Sequence, residues 1–381
     1  MVLFLHNRYR SEGGEERAVD DLLWLVREQM DEPAELLARD SLEVGRVSAA
    51  AGLLRGGLAP REVASAVRLS GARVVHAHNL QPTFGWRALA AARAAGARVV
   101  VHLHQYRLVC AIGVCFTRGA ECTRCHGRNT LPGVLRNCRG SLPEALAYGA
   151  SLALWQRRLL EQADALIVPS VFARERLREL GVPLASERER VHVIAPPLRA
   201  LAGPGEPPAW APAADPYALV VSRLSPEKGV DVAIEACRQA GMPLVIAGDG
   251  PQRAALTAAA GDAPVRFLGR VDEQELALLR VHAALALVPS RSGESFGLAA
   301  AEAMAAGLPL VASRVGALTE LVEDDALVPA GDSRALAGAI VRLAGDRSAG
   351  ERGRAKVHQL CGPEAVARAL GRVYDGARAP S

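Results

Sequence analysis

The segment YALVVSRLSPEKGVDVAIEACRQAGMPLVIAG, residues 217–248, decides the architecture. YALVVS (217–222) and PLVIAG (243–248) are apolar runs of strand length. Between them, a loop punctuated by Pro226 and Gly229 leads into a helical pattern near 229–240. Continuous Val/Leu/Ile strands separated by helices indicate parallel sheet covered on both faces. The rhythm continues outward in both directions. VRFLG (265–269), AALALVP (283–289) and LPLVAS (308–313) alternate with helices near 251–260, 273–281, 296–306 and 333–344. Towards the amino end, VLFLH (2–6), RVVHAH (73–78), RVVVHL (98–103) and ALIVPS (165–170) alternate with helices such as 85–95, 142–162 and 172–180. The fold class is α/β, with two doubly wound, Rossmann-like halves.

The halves meet at a proline-rich stretch without periodicity near 196–216, which can continue neither a helix nor a central strand. The expected division is a first domain at 1–196, a linker at 197–216, a second domain at 217–362 and a terminal helical segment at 363–381. The 381 residues, half of them hydrophobic and 23% charged, have a globular composition. No uncharged apolar run reaches the roughly 18 residues of a spanning helix. MVLFLHNRYR reads as a first strand and not as a secretory leader, so a cytoplasmic chain is expected. A net charge of +4 makes no case for nucleic acid. Among 45 basic residues only Lys228 and Lys356 are lysine, and a compact ammonium is not interchangeable with guanidinium.

Ligands bind beyond the carboxyl ends of strands in such sheets, so the loops after strands carry the chemistry. GESFGLAAAE (293–302) follows the strand ending at Pro289. It predicts a helix from near Phe296, capped by Ser295, with Gly297 leaving room for a phosphate at the amide-rich end. Glu294 and Glu302 would then be separated by roughly 12 Å along the axis, too far for a glycosidase pair but suited to opposite ends of one long ligand. SRLSPEKG (222–229) sets Arg223 and Lys228 after a strand, where two cations could neutralise a diphosphate. GGEER (13–17) offers Gly13 and Gly14 before a helix, where backbone amides can approach a phosphate. IAGDGP (246–251) has a G-x-G, but Arg253 breaks the dinucleotide fingerprint.

Together these segments resemble the retaining glycosyltransferases of the GT-B fold, carbohydrate-active family four ("glycosyl transferase group 1"). The motifs that carry the resemblance are Gly13–Gly14, VVHAHN (74–79), HLHQYRLVC (102–110), VSRLSPEKG (221–229), IAGDGP, FLGRV (267–271) and the E-x7-E segment from Glu294 to Glu302. The resemblance implies transfer of a sugar from a UDP- or GDP-sugar to an acceptor hydroxyl, with retention and without a catalytic metal. Glu302 would bind the nucleotide ribose. Glu294 and the backbone of Ser295, Phe296, Gly297 and Leu298 would hold the donor sugar and distal phosphate. Arg223 and Lys228 would stabilise the diphosphate, with Gly250, Gly13 and Gly14 also in contact with substrate, and His104 matches the family's cleft histidine. The family's C-terminal helix, which crosses back to the first domain, corresponds to 363–376. Two departures stand out: Gln105 replaces the aspartate that usually follows the histidine, and APPLRAL (195–201) replaces a PNGVD-like stretch.

Five of the seven cysteines, Cys110, Cys115, Cys122, Cys125 and Cys138, fall in a Gly- and Arg-rich insertion at 107–140. Cys122-x2-Cys125 is half a zinc knuckle, whereas the rest of the spacing is irregular. A subset of the family carries a similar insertion, with positions matching Cys110, Cys122, Cys125 and Cys138, and implies a structural zinc there. From the residues alone, structural zinc, packed free thiols and a disulfide or redox role are all open. Residues 98–140 hold seven arginines and one glutamate, which suits an anionic partner such as a lipid-linked diphosphate sugar or the inner membrane face that carries it. Sugar or small-molecule acceptors are the other acceptor classes. Two other functions share this architecture, a nucleotide-sugar epimerase and a non-catalytic nucleotide-sugar binder. Acceptor-dependent release of nucleoside diphosphate separates transfer from both.

Overall fold

The computed structural model describes residues 1–10, 13–183, 188–199 and 216–376. They divide into two compact units, the first comprising Met1–Thr117, Cys122–Pro197 and the segment from Pro363 onward, the second Arg118–Glu121 and Leu198–Gly362. The chain forms β1 (Val2–Arg8), β2 (Ala34–Asp40), β3 (Val74–Ala77), β4 (Arg98–His102), the short β5 (Phe116–Thr117) and β6 (Ala120–Glu121), β7 (Ala165–Val168) and β8 (Val191–Val193). It continues with β9 (Ala218–Val221), β10 (Leu244–Ala247), β11 (Val265–Gly269), β12 (Leu285–Val288), β13 (Leu310–Ser313) and β14 (Leu327–Val328).

The first unit holds a parallel sheet in the order β2-β1-β3-β4-β7-β8, the second one in the order β11-β10-β9-β12-β13-β14. Each order reverses direction once, between β1 and β3 and between β9 and β12, and a parallel sheet opens its ligand crevice at that reversal. The loops after β1, β3, β9 and β12 are therefore the ones placed for binding.

The apolar runs are continuous because both faces of each sheet are covered. Leu3, Leu5, Val75, Val99 and Val101 enter one core cluster, whereas Val2, Phe4, Val74 and Val100 enter the other. The second cluster is completed by Val366, Leu370, Val373 and Tyr374, three or four residues apart on one face of the helix Pro363–Tyr374. Arg98 Nε donates to the Val373 carbonyl at 3.0 Å.

The strands and helices named in the sequence reading are present, with ends shifted by a few residues. β2, β8 and β14 were not in that reading. AELLARD is half-exposed and charged, and the other two have three and two residues, so none has the buried-strand signature. Most of the proline-rich linker, residues 200–215, lies outside the described residues. Among the described residues, no helix is long and apolar enough to cross a membrane.

Candidate functional site

In the second unit, the loops after β9 and β12 are locked together. Gly229 ends a 3-10 turn, Pro226–Lys228, with φ +62°, and a Cβ there would lie 2.1 Å from the Pro289 carbonyl. The Arg291 amide donates to the Glu227 carbonyl at 2.8 Å. This packing brings the Lys228 ammonium to Glu294, Nζ to Oε1 2.6 Å, and Ser290 Oγ donates to the same oxygen at 2.6 Å. Burial alone would raise the Glu294 carboxyl, but the charge and hydrogen bond of Lys228, with Ser290, hold it below the ordinary carboxylate range. Arg223 projects from the same loop, half-exposed, and its guanidinium is held by Glu227 at 2.6 Å. Ser225 Oγ also donates to that Glu227 oxygen. Glu227 is buried and its carboxyl lowered: burial works upward, while Ser225, a backbone amide and Arg223 work downward more strongly.

The helix after β12 differs from expectation. It spans Leu298–Ala305, and Gly297, at φ +97°, is its cap. Ser295 and buried Phe296 precede it in the loop, so the cap position is not at Ser295. The left-handed φ of +97° at Gly297, with the Leu318 side chain close to where a Cβ would stand, explains why glycine and not serine makes the entry. Gly297 offers no side chain to cap the helix, and the first amides have no partner within the helix itself. The Glu294-to-Glu302 distance inferred from helical rise lapses, because the helix begins four residues later than Glu294. Glu302 lies on the fifth helical residue, buried, and forms an ion pair with buried Arg280 of the helix Glu273–His282. Gly250 packs against the loop after β9: a Cβ would sit 2.4 Å from the Leu224 carbonyl, and Leu224 N–H donates to Asp249 O at 2.9 Å.

In the first unit, the loop after β1 leads to the helix Gly14–Trp24. Gly13 is extended and its N–H donates to Glu16 Oε2 at 2.9 Å, so this amide is engaged by the protein's own carboxylate. Glu15 accepts from Tyr9 Oη and from Gln105 Nε2, both at 2.7 Å. Arg107 donates to Gln105 Oε1 at 3.1 Å and lies over the Tyr9 ring. Gln105 thus ties the segment after β4 to the Gly13–Gly14 loop.

His104 stands in a stack of imidazoles. Its Nε2 lies 2.9 Å from His78 Nδ1, and its ring stacks on His102 at 4.3 Å. His76 Nε2 lies 3.2 Å from His102 Nδ1, and His76 Nδ1 lies 2.8 Å from the Tyr374 hydroxyl. Burial lowers all four, His76 to about 3, so the stack is neutral near pH 7. His104 thus has a neutral imidazole, His78, among its partners.

Cys110, Cys115, Cys122, Cys125 and Cys138 line one cavity in the insertion, together with Phe116, Leu180 and Arg136. Among the surrounding arginines, Arg139 pairs with Glu144 and stacks on Tyr148, and Arg128 binds the Ala153 carbonyl. Arg118 and Arg124 are exposed.

The sequence reading did not single out Glu227, Ser290, Arg280, Glu15 or Tyr9. A signal existed for Arg280, a lone cation in the apolar run LALLRVHAALAL. The others become visible only when distant loops meet.

A family model described as "Glycosyl transferase 4-like domain" matches residues 14–197, and one described as "Glycosyl transferases group 1" matches residues 215–346. A GDP-mannose-dependent alpha-(1-6)-phosphatidylinositol dimannoside mannosyltransferase of Mycobacterium tuberculosis is 37% identical over 174 residues, 42% of this chain and 44% of that protein. The chain spans less than half the length of the curated relatives first matched. A sucrose-phosphate synthase from Thermosynechococcus elongatus superimposes with a TM-score of 0.67 at 21% identity, covering 98% of both chains. Anabaena HepE, in complex with UDP and glucose, gives 0.63 at 19% identity over 98% of this chain and 99% of that one. At these identities the structural likeness establishes the fold. With two matched models covering most of both units, and with both sheets in the doubly wound order, the chain belongs to the family-four glycosyltransferases of the GT-B fold.

Proposed function

We propose that the chain transfers a sugar from a UDP- or GDP-sugar to an acceptor hydroxyl, retaining the α configuration, in the synthesis of a polysaccharide, glycolipid or other glycoconjugate. The observation that carries this reading is the group at the β9/β12 reversal: Lys228 bound to Glu294, Arg223 steered by Glu227, and the amide end of Leu298–Ala305. An anionic diphosphate matches the cations and amides, and a carboxylate beside them matches sugar hydroxyls. The relatives that use GDP-mannose and bind UDP support the donor class and leave the base open.

In this mechanism Lys228 exchanges part of its bond to Glu294 for the diphosphate of the donor. Arg223 and the helix amides take up charge as the anomeric C–O bond breaks. Glu294 and the backbone of Ser295, Phe296, Gly297 and Leu298 hold the sugar, and Glu302, fixed by Arg280, accepts from the ribose diol. The acceptor hydroxyl attacks from the face the diphosphate leaves and gives its proton to the departing diphosphate oxygen, so no side chain forms a covalent bond to the sugar. His104, neutral and backed by His78, meets the sugar or acceptor as a hydrogen-bonding group and not as a cation. Gly14, at the start of its helix, brings backbone to the diphosphate, whereas the Gly13 amide is already engaged by Glu16. Catalysis rests on charge stabilisation and requires no divalent metal.

The acceptor is proposed to be anionic and lipid-linked, presented at the inner membrane face of a cytoplasmic enzyme. Support comes from exposed Arg118, Arg124 and Arg128 and exposed Leu131, Leu135, Leu142 and Leu146 in and after the insertion. The test is a panel of UDP-, GDP- and ADP-sugars, scored by thermal shift and then by acceptor-dependent nucleoside diphosphate release. Product anomeric configuration is read by NMR. Donor turnover without acceptor dependence, or an inverted product, defeats the proposal.

A further inference from the structure

β3 and β4 run parallel, with His76 opposite Val100 and Ala77 opposite Val101. Side chains alternate along a strand, so His76, His78 two residues on, and His102 at the end of β4 come to one side of the sheet. Each is at most 4% exposed. One ring nitrogen from each lies within 4.8 Å of the other two. Three potential ligands from two neighbouring strands, buried together, are an arrangement that the packing of a parallel sheet does not by itself require.

His76 Nε2 and His102 Nδ1 face each other at 3.2 Å. Two imidazole nitrogens bound to one zinc ion at about 2.0–2.1 Å stand about 3.3 Å apart when the angle between them is near tetrahedral. The far nitrogen of His76, Nδ1, is held by the Tyr374 hydroxyl at 2.8 Å, and His78 Nδ1 lies 2.9 Å from His104 Nε2. An imidazole that ligates a metal commonly has its other nitrogen fixed by such a partner, which sets the orientation of the ring. His78 Nε2 remains: it is buried and, among the described residues, has no hydrogen-bond partner. A buried polar atom left in this state costs free energy, and a bound ligand recovers it. Burial keeps all three imidazoles neutral, the form that offers a lone pair.

We propose that His76 Nε2, His78 Nε2 and His102 Nδ1 hold one zinc ion, with a water molecule in the fourth position. Three imidazoles and a borderline-soft divalent ion are a matched set. Glu15 and Glu16 act electrostatically on His104, so negative charge lies on that flank of the cation. The ion ties the ends of β3 and β4 together and, through His76 and Tyr374, to the helix Pro363–Tyr374. It also settles one proton: a His78 bound through Nε2 carries its hydrogen on Nδ1 and donates it towards His104 Nε2. No step of the proposed transfer runs through the ion, so the site stands or falls by binding and not by turnover.

The test measures zinc on the folded full chain after its accessible thiols are blocked with N-ethylmaleimide, so that sulfur does not compete, and after metal is stripped with a chelator. Zinc titrated against a chromophoric chelator should bind at about one ion per chain. X-ray absorption at the zinc edge should show nitrogen or oxygen scatterers at about 2.0–2.1 Å and no sulfur at about 2.3 Å. His78→Phe and His102→Phe should weaken binding at least about a hundredfold, and Tyr374→Phe, which removes only the hydrogen bond to His76, about tenfold. His358→Ala, at an exposed position in the other unit, should leave binding unchanged. If the histidine variants do not fold, Tyr374→Phe and the absorption spectrum of the parent chain decide. The proposal is overturned by less than about a tenth of a zinc per chain or by sulfur in the zinc shell of the blocked chain. It is equally overturned by unchanged affinity in the His78, His102 or Tyr374 variants, or by an equal loss in His358→Ala.

Discussion

Lys228 and Glu294 are 66 residues apart in sequence and 2.6 Å apart in space. The contact joins the loops after β9 and β12, the two strands between which the sheet order reverses. A cation and a carboxylate held this way are pre-positioned for exchange with a ligand that carries complementary groups. Lys228→Ala should lower kcat/KM for nucleoside diphosphate release about a hundredfold, roughly 3 kcal/mol of transition-state stabilisation. Lys228→Arg should not restore it, because a planar fork cannot stand in for a compact ammonium. Near-parental turnover in either variant would remove Lys228 from the chemistry.

Glu302 and Arg280 form a buried ion pair, so Glu302 has a structural burden in addition to its proposed ribose contact. Glu302→Gln leaves a buried guanidinium without its counter-charge and should cost about 3–5 kcal/mol of stability. Glu302→Gln combined with Arg280→Met should recover much of that in urea denaturation while leaving donor affinity low. Recovery of both would show that the carboxylate served only the fold.

The imidazole stack predicts a particular acid response. The four histidines are neutral when folded, with His76 lowered to about 3, whereas an unfolded histidine titrates near 6.5. Below about pH 6.5 the unfolded chain therefore binds more protons, and stability falls as pH falls, by up to about 1.4 kcal/mol per pH unit for each histidine. Calorimetry between pH 7 and pH 5 should show a steep loss of Tm, reduced in His76→Phe relative to its own value at pH 7. A flat profile would mean that the stack is charged or open to solvent.

Gln105 occupies the place of an aspartate common in the family, yet restoring aspartate should harm this protein. Its amide donates to Glu15 at 2.7 Å, and Gln105→Asp would set two carboxylates face to face. A loss of about 1.5–3 kcal/mol at pH 8, shrinking as pH is lowered and one carboxyl protonates, is the expected outcome in chemical denaturation. Unchanged stability would show that the contact is dispensable.

Two glycines of nearly equal φ separate backbone strain from crowding. Gly229 (φ +62°) would drive a Cβ to 2.1 Å from the Pro289 carbonyl, whereas Gly241 (φ +65°) has nothing within 4 Å. Gly229→Ala should cost about 1–3 kcal/mol beyond Gly241→Ala and should raise KM for the donor, because the two loops can no longer meet. Equal effects of the two variants would contradict the loop packing.

Much of this was legible in the residues. Fully covered strands such as VLFLH and YALVVS announce themselves because both faces of the sheet are apolar. The doubly wound alternation, and the loops that carry Lys228 and Glu294, follow from them. What was hidden depended on the third dimension. Gly297, and not Ser295, begins the helix because the chain turns there through a left-handed conformation, beside Leu318, that only glycine adopts freely. Glu227 reads as a surface acid until the loop folds it under Arg223. The order of the edge strands β2, β8 and β14 is likewise set by packing against neighbours and not by their own short sequences.

The helix Pro363–Tyr374 places Tyr374 on His76 and three aliphatic side chains in the first unit's core. On a ribosome, residues up to Pro197 emerge well before the layer that seals them. The nascent amino-terminal half must wait, with an oily flank uncovered, while the intervening unit is synthesised. Fragments that stop before residue 363 should therefore depend on chaperones or precipitate, and the missing helix, supplied as a separate peptide, should rescue them.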